Sequence, residues 1–129
     1  HLANVRSIVD GEGLWTQHDK VNEQIQKIYN KGKLSNSDYA NIDAIQINWN
    51  AKVAESLADY VSTYSAEAVI NNSDVRNYLY SLIEVPSSWE KNNQNKSVSL
   101  GDKGNKKKAY YDSWVKSMFS VNDPYKGQY

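Results

Sequence analysis

The sequence holds 129 residues, with fifteen basic and fifteen acidic side chains and no cysteine; that length suits one domain around a single core. Zero net charge removes the long-range field that draws proteins onto nucleic acid or anionic lipid, and the missing cysteines remove disulfides, thiolate metal sites and cysteine nucleophiles. No run approaches the roughly 18–20 apolar residues of a membrane span, while ten Tyr and four Trp supply large rings whose polar groups need partners when buried.

The chain opens on His1 and passes at once into helical periodicity, so it reads as a segment excised from a longer protein. Leu2, Val5 and Val9 lie on one helical stripe, interrupted by Gly11-Glu12-Gly13. Leu14, Val21, Ile25, Ile28 and Tyr29 resume a helical face up to a stop near Gly32. Pattern alone leaves open whether these halves are one helix or two. Each glycine costs about 1 kcal/mol against alanine inside a helix, so a pair of them calls for a reason.

Ser35 or Ser37 can cap the next helix, with Asp38 in its first turn. Tyr39, Ile42, Ile45, Trp49, Val53, Leu57, Tyr60, Val61 and Tyr64 then follow at helical spacing, and the pattern can run on to Val69 before Asn71-Asn72. Ser73 starts another helix, carrying Val75, Leu79, Leu82 and Ile83 and ended by Pro86. Residues 87–108 read as a loop with one turn around Trp89, and a last helix from about Lys106 to Ser120 presents Tyr110, Tyr111, Trp114, Val115, Met118 and Phe119. Residues 121–129 form a tail containing Pro124 and Gly127. The expected fold is all-α: one domain over residues 1–129, an antiparallel bundle of four to five helices with a long central helix.

Few residues offer chemistry. His1 and His18 lack a second ligand at i+3 or i+4, so no metal site is expected and His18 is read as facing solvent. Asp10, Glu12 and Asp19 are read as caps or solvated charges, so no catalytic residue is assigned. The run Lys106-Lys107-Lys108 reads as a solvated helix start or a headgroup contact. Trp49 and Trp114 belong to core stripes, whereas Trp89 stands in a polar setting and is a candidate pocket wall.

The informative stretch is Val5-Arg6-Ser7-Ile8-Val9-Asp10-Gly11-Glu12-Gly13-Leu14-Trp15-Thr16, with Lys20 one turn on. It resembles the opening of the helical extracytoplasmic sensor domains of bacterial transmembrane diguanylate cyclases and sensor histidine kinases, whose pattern is close to V-R-x-x-V-x-G-E-G-L-W-S-x-x-x-K. Nine positions match and Thr16 replaces serine. Tyr78-Leu79, Leu82 and Val85-Pro86 resemble, more weakly, a later helix of the same domains. The likeness covers about a quarter of the chain; the long helix exceeds its counterpart, and the last forty residues carry no pattern of this kind.

The resemblance implies a non-catalytic periplasmic domain of an inner-membrane receptor, without cofactor, that senses a small-molecule or protein ligand. It implies signal transfer through flanking transmembrane helices to a cyclase or kinase output, and a weak homodimer. The candidate ligand or motif residues are Arg6, Gly11, Glu12, Gly13, Trp15 and Lys20, together with Trp89. Two uses of the motif stay open. Glycines without a Cβ can admit a ligand beside Glu12, Trp15 and Lys20, or they can admit a second helix while the charges bridge outward. The rival to a sensor is a stand-alone surface lipoprotein or an immunity-type protein-binding module, which needs an exposed apolar patch.

Overall fold

A computed structural model describes residues 1–92 and 103–119, with the side chains of the last helix from Lys106 onward. The described residues are all-α, without strands, in seven helices: α1 (Leu2–Gly11), α2 (Leu14–Tyr29), α3 (Asn36–Tyr64), α4 (Ala66–Val69), α5 (Ser73–Leu79), α6 (Ser87–Asn92) and α7 (Lys103–Phe119). The expected tail at 121–129 lies outside the described residues.

The count exceeds four or five for local reasons. Gly13 adopts φ 65°, a left-handed conformation that separates α1 from α2. Ser65, at φ 106°, ends α3 and turns its hydroxyl to accept from the Ala68 N–H, so α4 is a separate turn and not an extension of α3. Asn72, rather than Ser73, caps α5 by accepting from the N–H groups of Asp74 and Val75.

α5 also stops at Leu79, well short of Pro86. Side chains from elsewhere claim the backbone that would have continued it. The Trp49 indole donates to the Leu82 carbonyl at 2.6 Å, and the Lys107 ammonium donates to the carbonyl of Tyr80 at 2.6 Å. The Asn50 amide pairs with both backbone groups of Glu84, its Nδ2 donating to the carbonyl at 2.6 Å and its Oδ1 accepting from the N–H at 2.8 Å. The resulting loop, 80–86, buries Leu82, Ile83 and Pro86. The turn expected around Trp89 is α6, whose first N–H groups are taken by α3, Ser87 donating to Gln46 Oε1 and Ser88 to Asp43 Oδ1; residues 93–102 of the expected loop lie outside the described residues.

α3 has 29 residues and begins with a capping box, Ser35 Oγ accepting from the Asp38 N–H while the Asp38 carboxylate accepts from the Ser35 N–H. It packs against α1, α2, α4, α6 and α7, and α5 packs on α1. Partners along α3 give the directions. His18 meets Trp49 and Lys31 meets Asp38, so α2 runs opposite to α3. Lys106 shares a cleft with Gln46, Trp114 bonds Asn50, and Phe119 lies by Ala58 and Val61, so α7 runs in the same sense as α3.

Val5, Leu14, Val53, Leu57, Leu79 and Trp114 are fully or almost fully buried in one core cluster; burial of each such side chain contributes about 1.5–3 kcal/mol. The buried rings find the partners their polar atoms require, as when Tyr111 donates to the Ile70 carbonyl at 2.6 Å and the Trp114 indole to the Asn50 carbonyl at 3.2 Å. Burial raises the Tyr111 phenol well above its ordinary pKa, so it stays a neutral donor. Arg76 clamps α5 to α7 by pairing with Asp112 at 2.8 Å and lying over the Tyr111 ring.

Both ends of the described helices meet one stretch of α3. The His1 ring and the Asn4 amide bond the Tyr60 hydroxyl at 2.8 and 3.0 Å, and the His1 ring packs edge-on against Tyr64. Met118 and Phe119, closing α7, share a small cavity with Ala58, Val61 and Ser62.

Candidate functional site

The glycine motif forms the corner between α1 and α2. A Cβ at Gly11 or Gly13 would meet nothing within 4 Å, so neither glycine serves a close approach by a second helix, and that use of the pair is corrected. Gly13 is required by its positive φ, and its N–H closes α1 on the Asp10 carbonyl at 3.1 Å. Gly11 sits in ordinary helix facing open space.

The corner brings two of the motif residues together. From α1, the Arg6 guanidinium lies 5.3 Å from the centre of the Tyr78 ring; from α2, Trp15 Nε1 donates to the Tyr78 hydroxyl at 3.0 Å and the two rings meet edge to face. Tyr78 on α5 is thus the shared partner of both arms. Glu12 and Lys20 are exposed, and their side chains make no hydrogen bond or ion pair among the described residues. The Glu12 backbone is engaged, its N–H donating to the Ile8 carbonyl at 3.0 Å and its carbonyl accepting from Gln17 Nε2 at 2.8 Å.

His18 does not face solvent: it is 9% exposed, one turn beyond Leu14, and this corrects the sequence expectation. Its ring lies against Trp49 and meets Trp15 edge-on, and Nε2 lies 3.1 Å from Glu84 Oε1. The signal was present in the spacing, because Leu14, His18 and Ile25 share one helical face. A polar residue on that stripe needs an internal partner, and Glu84, 66 residues away, could not be found by periodicity.

Glu84 faces two ways. Oε1 meets His18, and the same side chain lines an open cleft of about 260 Å³ with Gln46, Val85, Glu90, Lys106 and Lys107. α3, loop 80–86, α6 and α7 all contribute to the cleft. Lys106 pairs with Glu90 at 3.4 Å, and Lys107 reaches the carbonyls of Tyr80 and Ile83. The basic run is therefore not a solvated helix start at these two positions; only Lys108 is exposed. Burial holds the Lys107 ammonium below the ordinary lysine pKa, and the negative charge of Glu84 opposes that shift. Beneath the cleft, Asn50 also donates to the Tyr110 hydroxyl at 3.0 Å, and burial keeps that phenol above its usual pKa.

Trp89, expected as a pocket wall, is half-buried and packs edge to face on Tyr110 beside the cleft without lining it. Gln46, Glu84, Lys106 and Lys107 were not among the candidate site residues, since their grouping depends on contacts between distant segments. Two opposite pairs of charges around an open volume are suited to polar ligand recognition. Comparison with protein families, with curated proteins and with solved structures found no match.

Proposed function

We propose that this chain is the extracytoplasmic ligand-sensing domain of a bacterial transmembrane receptor, passing a signal through membrane helices that continue from α1 and α7. In this reading the helices form a bundle around the long α3, antiparallel where the α1–α2 arm passes it and parallel where α7 returns. The observation that carries the proposal is the common pole: His1 and Asn4 of α1 and Met118 and Phe119 of α7 lie against residues 58–64 of α3. Two helices leaving one pole can enter one membrane face. The resemblance of Val5 to Lys20 to the sensor motif supports the same reading.

Sensing then amounts to a change in the relation of α1 and α7 when a ligand favours one packing over another, limited by the ligand's differential affinity for the two. None of the seven helices is long and apolar enough to cross a membrane, so the spans in this reading belong to flanking sequence. The test is topology mapping of the full-length gene product, with reporter fusions on either side of this segment and membrane fractionation. A span on each side, with the segment exported, is the expected result. A full-length product without both spans overturns the proposal, and a lipidated product ending near this segment returns the surface-lipoprotein rival.

A further inference from the structure

We infer that the cleft between α3, loop 80–86, α6 and α7 is a binding site for a small zwitterion, an α-amino acid. The inference rests on the sensor reading only in taking this site as the input. Its chemistry follows from the lining. Glu84 and Glu90 supply two carboxylates, Lys106 and Lys107 two ammonium groups, Gln46 an amide and Val85 an apolar wall. A ligand of one charge would leave half of this set facing its like, whereas a zwitterion meets both halves and keeps the cleft neutral. At about 260 Å³ the volume falls just under the roughly 300–1,000 Å³ of drug-sized pockets, which suits a smaller molecule.

Existing bonds fix which atoms remain for it. Glu84 Oε1 is engaged by His18, so Oε2 has no partner among the described residues. Gln46 Oε1 accepts from both the N–H and the hydroxyl of Ser87, which assigns the carbonyl end of that amide and leaves Nε2 as a donor without a partner among the described residues. Lys107 is committed to two backbone carbonyls, and among the described residues Lys106 is held only by Glu90 at 3.4 Å, beyond the usual length of a charge-assisted bond. The ligand ammonium therefore goes to Glu84 Oε2 and its carboxylate to Gln46 Nε2 and Lys106 Nζ, with its side chain toward Val85. Glu84 then joins the site to His18, and through His18 to Trp15 and the glycine corner.

The test is calorimetric titration of the purified 129-residue chain with each of the twenty L-amino acids, and with ethylamine and propionate as single-charge analogues. We expect at least one amino acid to bind with millimolar or tighter Kd and both analogues to bind at least about tenfold more weakly. Glu84→Gln and Lys106→Gln should each weaken binding about tenfold or more, and Lys108→Gln should not change it. Gln46→Glu keeps the acceptor for Ser87 and repels the ligand carboxylate, so it should abolish binding with an unchanged circular dichroism spectrum. No binding by any of the twenty up to about 10 mM, equal binding of ethylamine, or binding indifferent to all three cleft variants overturns the inference. Spans on both sides of a domain that ignores all twenty refute the ligand class alone; binding in a protein without spans refutes the sensor reading alone.

Discussion

Substituting alanine at the two motif glycines separates the reasons for them. Gly13 sits at φ 65° with open space around its Cβ direction, so an alanine there meets no neighbour and suffers only the left-handed backbone. That conformation disfavours an L-residue by roughly 1–2 kcal/mol, partly offset by the stiffer unfolded chain, for a net loss of about 1 kcal/mol. Gly11 lies within α1 with equal space, so Gly11→Ala should gain about 0.5 kcal/mol from reduced unfolded-state entropy and better helix propensity. For a domain of this size the two variants should move Tm in opposite directions, down by about 3–5 °C and up by about 2 °C. Gly13→Asn should fall between Gly13→Ala and the parent, because asparagine tolerates the left-handed region better. Differential scanning calorimetry with urea unfolding reads all three. Equal losses at positions 11 and 13 would mean that both glycines are packed against something, and the description of the corner as a backbone turn in open space would be wrong.

Asn50→Leu should be the most damaging polar substitution, because it removes three hydrogen bonds from a fully buried side chain and leaves the backbone of Glu84 without partners; a loss of about 2–5 kcal/mol is expected by urea unfolding, against under about 0.5 kcal/mol for exposed Asn41→Leu on the same helix. A loss below about 1 kcal/mol at Asn50 would show that the loop holds itself. Asp38 is lowered to about 2 from 3.8, first by the Lys31 hydrogen bond and then by the Ser35 N–H. A depressed carboxylate contributes stability that is fully present above its unfolded value and lost as pH falls through the folded one. The gap between the parent and Asp38→Asn should therefore be constant above about pH 4–5 and close as pH drops toward 2; a gap that holds at pH 2 contradicts the assignment.

Much of the fold is legible from local pattern, and its departures have a common origin. The stripe Ile42, Trp49, Val53, Leu57 and Val61 identifies α3, and Ser35 with Asp38 marks its start, because capping and amphipathicity are decided within a few residues. The early stop of α5 was not legible, since Pro86 is the nearest sequence signal while the true cause is competition by Trp49, Asn50 and Lys107 for the carbonyls of residues 80–84. The break at Ser65 likewise has no glycine or proline to announce it. Of the motif residues, Arg6 and Trp15 share Tyr78, a partner from a distant helix that local pattern does not reveal, and the side chains of Glu12 and Lys20 have no partner among the described residues. His18 and Asn50 were each detectable as a polar residue on a buried stripe; their common partner, residue 84, was not.

The geometry also limits how a ligand in the cleft could act at the pole. From Gln46 to Tyr60, α3 covers roughly 20 Å at about 1.5 Å per residue. α7 spans that distance as one unbroken helix from Lys106 to Phe119, so a pull on Lys106 is delivered to the pole directly. The route to α1 is indirect. It passes from Glu84 through His18 and Trp15 and then turns the corner at Gly13, where Tyr78 ties Arg6 back to Trp15. On the sensor reading, ligand binding therefore moves α7 relative to α1 and does not move both together. Three charge-assisted hydrogen bonds, at roughly 1.5–3 kcal/mol each, cap the available bias at about 4.5–9 kcal/mol. Moving an equilibrium from 1:99 to 99:1 requires about 5.5 kcal/mol, within that range only if most of the binding differs between the two packings. A receptor of this design therefore works best with its two packings close to balance before the ligand arrives. A weak contact such as Lys106 to Glu90 at 3.4 Å, readily exchanged for a ligand carboxylate, is the kind of interaction that permits it.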